Sequence, residues 1–470
     1  MVGDPGRQRG AAVRADSRPA RQRHPLPHPR GPVLPAAAGQ PPRAALARRH
    51  ARAEPAAGGR RVSDAPLSAA RHWWVILLCS LVCLLDGYDV LVAPISVPVW
   101  SEQWQLQASA FTPALAATVL GMALGAVFIA PLGDRHGRRP VLALSFAVVG
   151  VASLMTARAD SVLELTLYRV VTGLGMGASL TNALALASEV ALPHLRTRIT
   201  VWVYSMSAVG SIIGGLVAPA ILERLSWQGL FYTGGVLPLA LAPLLWFGLP
   251  AGGGSAPAAG AAGGLAGIMR NLGALLAAPY RATTLLLWLF YFVCLFTMYV
   301  ISSWLPTLMH MNGWTLAASV RGIMYFSLGG VLGGFVIGWL VDRRHTALAL
   351  YGGFAVAGLA LLALLVAPAD LFLWMSLVGL VGAGVVGVSY AIGALAAATY
   401  PAELRAGGIG TASAMGRLGA TLAPVFGGWL IAGGASVLEI FASLVAVVAL
   451  GLVAVFVFSR VGLPLRDAGG

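Results

Sequence analysis

Long apolar runs recur along the chain between residues 73 and 459, and each is close to the roughly 20 residues that an α-helix needs to cross a bilayer. Short polar stretches interrupt them at fairly regular intervals. The pattern predicts an all-α membrane protein with twelve transmembrane helices. The predicted spans are 73–98, 110–131, 140–158, 163–190, 201–222, 230–249, 282–306, 318–341, 347–366, 371–397, 408–432 and 437–459.

A glycine- and alanine-rich stretch divides the twelve spans into two sets of six. Residues 250–281 open with AGGGSAPAAGAAGG, a composition typical of a flexible linker. We therefore expect an N-terminal bundle over 62–249, a cytoplasmic linker over 250–281, a C-terminal bundle over 282–459 and a cytoplasmic tail over 460–470. Similar polar loops at matching places in each half predict two parallel six-helix repeats around a central cavity.

Composition agrees with a polytopic membrane protein and separates one segment from it. The chain is 58% hydrophobic and 10% charged, whereas soluble domains carry about 25% charged residues. Residues 1–61 are instead rich in arginine, proline and alanine without hydrophobic periodicity, so they are expected to be disordered. They are either a basic arm for nucleic acid or anionic lipid or, the favoured reading, sequence upstream of a true start at Val62. We expect no nucleic-acid partner.

The distribution of arginines predicts the orientation in the membrane. Arginine is frequent in the loops on one side of the predicted bundle, and on the other side only Arg158, Arg224 and Arg321 occur. Short cytoplasmic loops carry such an excess of basic residues. We therefore expect a multi-pass protein of the cell inner membrane with both termini in the cytoplasm.

Two aspartates lie inside the first span, in the stretch LLDGYDVL. A carboxylate at the bilayer centre costs roughly 2.5–3.5 kcal/mol, so Asp86 and Asp89 require a functional or structural reason. Residues three apart share a helix face, and both side chains are expected to point at the central cavity. Two close carboxylates in a low-dielectric site do not easily ionise together, so the pair is a candidate proton-coupling site. The alternative is that one aspartate pairs with a cavity arginine and holds the bundle together.

The loop after the second span, APLGDRHGRRP at 130–140, resembles the loop motif of the major facilitator superfamily. A carboxylate and arginines at helix ends can form charge pairs that break and reform as two halves move. A simple positive-inside anchor is the plainer alternative. The matching residues are Asp134, Arg135, Gly137, Arg138 and Arg139, and a second copy in the other half keeps Asp342 and Arg343.

The stretch Leu-Asp-Gly-Tyr-Asp resembles the D-G-x-D motif of one branch of that superfamily, the aromatic acid:H⁺ symporters. TNALALASE at 181–189, WLPTL at 304–308 and YPAELRAGGIG at 400–410 fit the same branch. The resemblance implies proton-coupled uptake of a hydroxybenzoate-like carboxylic acid by alternating access, with no cofactor besides the proton gradient. By position it assigns functional roles to Asp86, Asp89, Asp134, Glu189, Arg169, Arg405 and Arg417.

Two arginines inside spans are candidates for binding the substrate carboxylate, because a guanidinium fork matches a carboxylate in two hydrogen bonds. Arg417 lies in the eleventh span, and Arg169 lies in the fourth, where a carboxylate partner or water access is expected. Trp288, Phe292 and Tyr299 recur at helical spacing in the seventh span and are candidates for stacking on the substrate ring, with packing or lipid contact as the alternative.

Two further charges near the cytoplasmic side are candidate gating residues. Glu189, at the end of the fourth span, is either a gate residue or a surface acid that reaches the interface. Arg405, in the loop before the eleventh span, is expected to be a gate charge.

Other functions fit the sequence less well. The histidines are not spaced as a metal site or a nucleophile–base cluster, so we expect neither an enzyme nor a bound metal. The alternatives that stay open are a symporter for another organic acid or a sugar, and a drug:H⁺ antiporter. The partners expected are a small aromatic acid anion, protons and the lipid bilayer, with the carrier as a monomer.

Overall fold

The computed structural model describes residues 69–192, 195–250 and 272–460. The predictions for residues 1–61, for the tail 460–470 apart from Arg460 and for most of the linker lie outside the described residues. The predicted domain boundaries therefore stay predictions.

Twelve long helices make up the described part of the chain, and it contains no β-strand. They are α1 (Ala69–Trp104), α2 (Ala108–His136), α3 (Arg138–Thr156), α4 (Val162–Val190), α5 (196–225), α6 (227–248), α7 (Arg281–Met311), α8 (Leu316–Asp342), α9 (Thr346–Val366), α10 (Leu371–Thr399), α11 (Ala402–Ala432) and α12 (Val437–Arg460).

Two of these helices are irregular. The stretch Arg196–Gly248 breaks at Ser226, whose φ of 54° and ψ of −166° are not helical, and this break separates α5 from α6. Helix α2 passes through a π-helical turn at Gly125–Ile129 before its last segment, Pro131–His136. Such turns widen a helix locally and re-aim the residues that follow.

Ten stretches in the described part are long and apolar enough to cross a membrane. One of them, Arg198–Gly248, contains both α5 and α6, and α11 is a further long helix outside the ten. Large apolar side chains face outward, among them Phe247, Phe335 and Val366, as expected of helices solvated by lipid. The predicted all-α architecture of a multi-pass membrane protein is confirmed.

The two halves meet at the end of the bundle where α1 ends and α2 begins. Glu102 of α1 lies 3.2 Å from His310 of α7, measured from Oε1 to Nε2. A Cβ added at Gly428 of α11 would collide with the Thr112 side chain of α2. These contacts lie at the opposite end of the helices from the Asp134 loop, because successive helices run in opposite directions.

Glycines bring α1 and α5 into close contact beside the two aspartates. A Cβ added at Gly87 would collide with the backbone oxygen of Ser207, and one added at Gly210 would collide with that of Leu84. Small residues at such crossings let membrane helices approach backbone to backbone. The crossing places the α5 face that carries Ser207 directly against Asp86.

Candidate functional site

Arg169 and Asp89 form a fully buried ion pair inside the first half. Arg169 is 0% exposed, and its Nη2 and Nη1 donate to the two Asp89 carboxylate oxygens at 2.6 and 3.1 Å. Its Nε donates to Thr118 Oγ1 at 2.9 Å, and its guanidinium lies 5.8 Å from the centre of the Phe231 ring. The carboxylate partner predicted for Arg169 is confirmed. In this conformation both terminal nitrogens of the guanidinium are already bonded to Asp89.

Asp86 faces different neighbours, although it lies less than one helical turn from Asp89. Its exposed fraction is 5%, and Ser207 of α5 donates to its Oδ2 at 3.3 Å. Its Oδ1 is buried and has no hydrogen-bond partner among the described residues. The two carboxylates lie within electrostatic range of each other. Asp89 accepts hydrogen bonds from α3 and α4, whereas only one of the two Asp86 oxygens has a hydrogen-bond donor, on α5.

Arg417 belongs to α11, in the second half of the chain. Its charge acts on Asp86, Tyr204 and Tyr299, so all three side chains lie within electrostatic range of its guanidinium. It is partly buried and, within the described part of the chain, forms neither an ion pair nor a hydrogen bond from its side chain. A partly buried arginine in this condition is open to an anionic ligand.

The three aromatic residues predicted on α7 divide into two groups. Trp288 Nε1 donates to Thr411 Oγ1 of α11 at 3.2 Å, and Phe292 stacks on Phe296 with ring centroids 5.5 Å apart. Tyr299 instead lines, together with Arg169, a cavity of about 20 Å³ between α1, α2, α4 and α7. A cavity of that size holds about one water molecule.

One aromatic pair between the two halves has no signature in the sequence. Tyr204 of α5 and Tyr390 of α10 meet edge to face, with ring centroids 6.3 Å apart and ring planes at 90°. Neither tyrosine stands out in the sequence, since each lies in an ordinary apolar run. Only the packing of the two halves brings the rings together.

The Asp134 loop carries a charge network at the end of the first half. Arg138 donates to both carboxylate oxygens of Glu189, at 3.0 Å from Nε and 2.6 Å from Nη2, and lies 3.1 Å from Asp134. These residues come from the end of α2, the start of α3 and the end of α4. The expected clustering of a carboxylate and arginines at helix ends is confirmed as geometry, and the gating role stays a prediction.

Other residues of this loop are arranged around a tight turn. Gly137 has a φ of 94°, a conformation that favours glycine because it has no Cβ, and it reverses the chain between α2 and α3. Arg139 lies 5.1 Å from the centre of the Trp246 ring, and the Arg135 side chain is exposed.

The second copy of the motif is built differently. Asp342 and Arg343 are exposed, and Arg343 lies 4.3 Å from the centre of the Trp339 ring. Asp342 forms no ion pair among the described residues. Arg405 is exposed as well, but it lies in the first turn of α11 rather than in the loop before it.

The side chains around this site include one thiol, Cys83, which lies less than one helical turn before Asp86 on α1. No group of three or more histidine, cysteine or acidic side chains in the described ranges is arranged to hold a metal ion. Cys79, Cys83 and Cys294 are buried free thiols.

Comparison with known proteins gives a family match over most of the chain. The model described as Major Facilitator Superfamily matches residues 77–392 and 325–469. A gallate transporter of Pseudomonas putida is 32% identical over 424 residues, covering 84% of this chain and 90% of that protein. The 4-hydroxybenzoate transporter PcaK of Pseudomonas aeruginosa is 32% identical over 422 residues, covering 84% and 94%. A 3-(3-hydroxy-phenyl)propionate transporter of Escherichia coli is 33% identical over 410 residues, covering 85% and 98%.

Solved structures share the fold at lower identity. A bacterial homolog of the human lysosomal transporter Spinster, in an inward-facing and unoccupied conformation, superposes with a TM-score of 0.67 at 19% identity, covering 86% of this chain and all of that one. A D-xylose–proton symporter superposes with a TM-score of 0.61 at 17% identity, covering 82% and 96%.

Proposed function

The chain belongs to the Major Facilitator Superfamily, a family of transporters rather than enzymes, and on that premise we propose that it carries an aromatic carboxylic acid into the cell together with protons. Transport follows alternating access, in which the two halves rock around a site between them. Relatives at 32–33% identity that are named as transporters of gallate, 4-hydroxybenzoate and hydroxyphenylpropionate support this substrate class.

One observation carries the proposal: a half-satisfied buried carboxylate and an arginine without an ion pair lie within electrostatic range of each other between the two halves. Asp86 has an oxygen without a partner, and Arg417 has no ion pair among the described residues. Arg417 binds the substrate carboxylate through its guanidinium fork. A proton on Asp86 removes the negative charge that competes with that carboxylate for Arg417, so proton and substrate bind together.

Asp89 and Arg169 have a different part in this mechanism. Their mutual hydrogen bonds satisfy both groups in this conformation, so the pair holds α1 against α4. A direct role of Asp89 in proton coupling, or of Arg169 in substrate binding, requires that the pair opens in another conformation. Both roles stay predictions from the sequence.

Gating is proposed at both ends of the bundle. At one end, Arg138 with its partners Asp134 and Glu189 joins the ends of three helices. At the other end, Glu102 and His310 join the two halves. We propose that the first end faces the cytoplasm, as the distribution of arginines predicts, and that the protein acts as a monomer in the inner membrane.

The test is uptake into proteoliposomes with an imposed pH gradient. Labelled 4-hydroxybenzoate is expected to accumulate against its gradient with the wild-type protein. Asp86→Asn is expected to abolish this accumulation while keeping exchange of labelled for unlabelled substrate, because the amide cannot carry the proton but Arg417 is still present. Asp160→Asn, at an exposed position before α4, is the matched control and is expected to accumulate normally.

Two outcomes contradict the proposal. Normal accumulation by Asp86→Asn removes Asp86 from proton coupling. Extrusion of a lipophilic cation, with no uptake of any aromatic acid by the wild-type protein, replaces the symporter by a drug:H⁺ antiporter.

A further inference from the structure

Tyr204 lies where helices of both halves converge. Its ring packs edge to face on Tyr390 of α10, and Tyr390 in turn lies against Gly334 of α8. One turn further along α5, Ser207 donates to Asp86. The phenol of Tyr204 lies within electrostatic range of both Asp86 and Arg417.

Tyr204 and Tyr390 stay accessible although helices surround them. Their exposed fractions are 43% and 39%, and no hydrogen bond of either hydroxyl is present within the described part of the chain. The two hydroxyls are therefore free to donate to or accept from a bound ligand, and that of Tyr204 lies within electrostatic range of Arg417, an arginine without an ion pair among the described residues.

The packing of α7 on α11 places Arg417 within electrostatic range of Tyr204. A Cβ at Gly416 would lie 3.3 Å from Tyr291 of α7, so the residue before Arg417 packs directly on that helix. Tyr291 and Tyr299, both on α7, also lie within electrostatic range of Tyr204. A ring bound between the halves therefore meets a cation from α11 and phenol hydroxyls from α5 and α10.

We propose that the hydroxyls of Tyr204 and Tyr390 bind the ring hydroxyl of the substrate and so select hydroxylated aromatic acids over unsubstituted ones. The proposal rests on the proposed function, since it takes Arg417 as the group that binds the carboxylate. The two ends of one substrate are then recognised by different helices: the carboxylate by α11 and the ring hydroxyl by α5 and α10. Relatives named for benzoate and for niacin show that a ring hydroxyl is not required of every similar carrier.

The expected effect is a change in selectivity and not a general loss of transport. Replacing tyrosine by phenylalanine removes one hydroxyl and keeps the ring and its packing. Loss of one neutral hydrogen bond is expected to raise the KM for 4-hydroxybenzoate roughly 3- to 10-fold and to leave the KM for benzoate unchanged.

The experiment compares Tyr204→Phe and Tyr390→Phe with the wild-type protein in proteoliposomes, using labelled 4-hydroxybenzoate and labelled benzoate. Tyr232→Phe is the matched control. Tyr232 lies on α6 and is 40% exposed, close to the exposure of Tyr204 and Tyr390. The tyrosines that interact electrostatically with Tyr204 are Tyr291, Tyr299 and Tyr390, and Tyr232 is not among them. The same two acids are titrated against purified protein in detergent, which measures binding where a variant transports poorly. The transport experiment gives the ratio of the KM for 4-hydroxybenzoate to the KM for benzoate, and the titration gives the corresponding ratio of Kd values.

A ratio that stays at the wild-type value in both tyrosine variants overturns the proposal. An equal rise of KM for both acids also overturns it, because that result assigns the pair a packing role between the halves. A wild-type protein that takes up no aromatic acid at all contradicts the proposed function itself, so the two failures are distinguishable.

Discussion

Asp89→Asn removes the only carboxylate that forms an ion pair with Arg169 among the described residues. The ion pair is short on both arms and fully buried, and Thr118 is the only further side-chain acceptor for the guanidinium among the described residues. An asparagine of the same shape keeps one acceptor oxygen but leaves a full positive charge in an apolar interior. We expect the bundle to be destabilised although no atom is lost from the core.

The magnitude follows from the burial. Removing one partner of a buried ion pair costs about 3–5 kcal/mol, whereas replacing both partners by well-packed apolar residues of similar volume is often nearly neutral. At roughly 2.1 cal/mol/K of unfolding entropy per residue, the stretch from residue 62 to residue 470 has about 0.9 kcal/mol/K. Asp89→Asn is therefore expected to lower Tm by about 3–6 °C, and the double variant Asp89→Leu with Arg169→Met is expected to avoid most of that loss.

The three buried cysteines provide the assay. Cys79, Cys83 and Cys294 are inaccessible in the folded protein, so a thiol-reactive fluorophore reports unfolding during a temperature ramp in detergent. Asp160→Asn is again the control and is expected to unfold at the wild-type temperature. A double variant as unstable as Asp89→Asn alone, or an unchanged Tm in Asp89→Asn, refutes the argument from an uncompensated buried charge.

Two further predictions concern helix contacts. Gly87→Ala is expected to push α1 away from the Ser207 carbonyl, which lowers stability by about 1–3 kcal/mol and abolishes uptake. The thiol assay measures the stability and vesicle transport measures the uptake. Unchanged uptake would show that the crossing tolerates a methyl group. Arg138→Gln is expected to lower Tm more than Glu189→Gln. Arg138 forms ion pairs with both Asp134 and Glu189, so the pair with Asp134 remains when Glu189 is neutralised. A larger loss of Tm in Glu189→Gln would show that Arg138 is not the centre of the network.

Local features were predictable because they depend on the order of residues alone. A run of about 20 apolar residues is a candidate transmembrane helix whatever its neighbours are, so most of the twelve predicted spans follow from apolar length, and α11 is the one that falls outside the apolar stretches of the described residues. A charge inside such a run requires a partner or water, and this requirement predicted a carboxylate partner or water access for Arg169. The break at Ser226 falls between the predicted spans 201–222 and 230–249.

Features that depend on which helices are neighbours were not predictable. Helical spacing places Asp86 and Asp89 on one side of α1, and nothing in that spacing distinguishes them. The distinction arises because α4 presents Arg169 to Asp89, while α5, held close by Gly87, presents only Ser207 to Asp86.

The sequence by itself determined a twelve-helix carrier of this family, with acids and arginines buried in its spans. Only the tertiary structure decided which acid is paired and which is left half satisfied, and which tyrosines meet across the two halves. The physical reason is that hydrophobicity is a property of each segment, whereas the partner of a buried polar group is set by helix crossings between residues far apart in the chain. Tyr204 and Tyr390 are such residues, and no local pattern marks them.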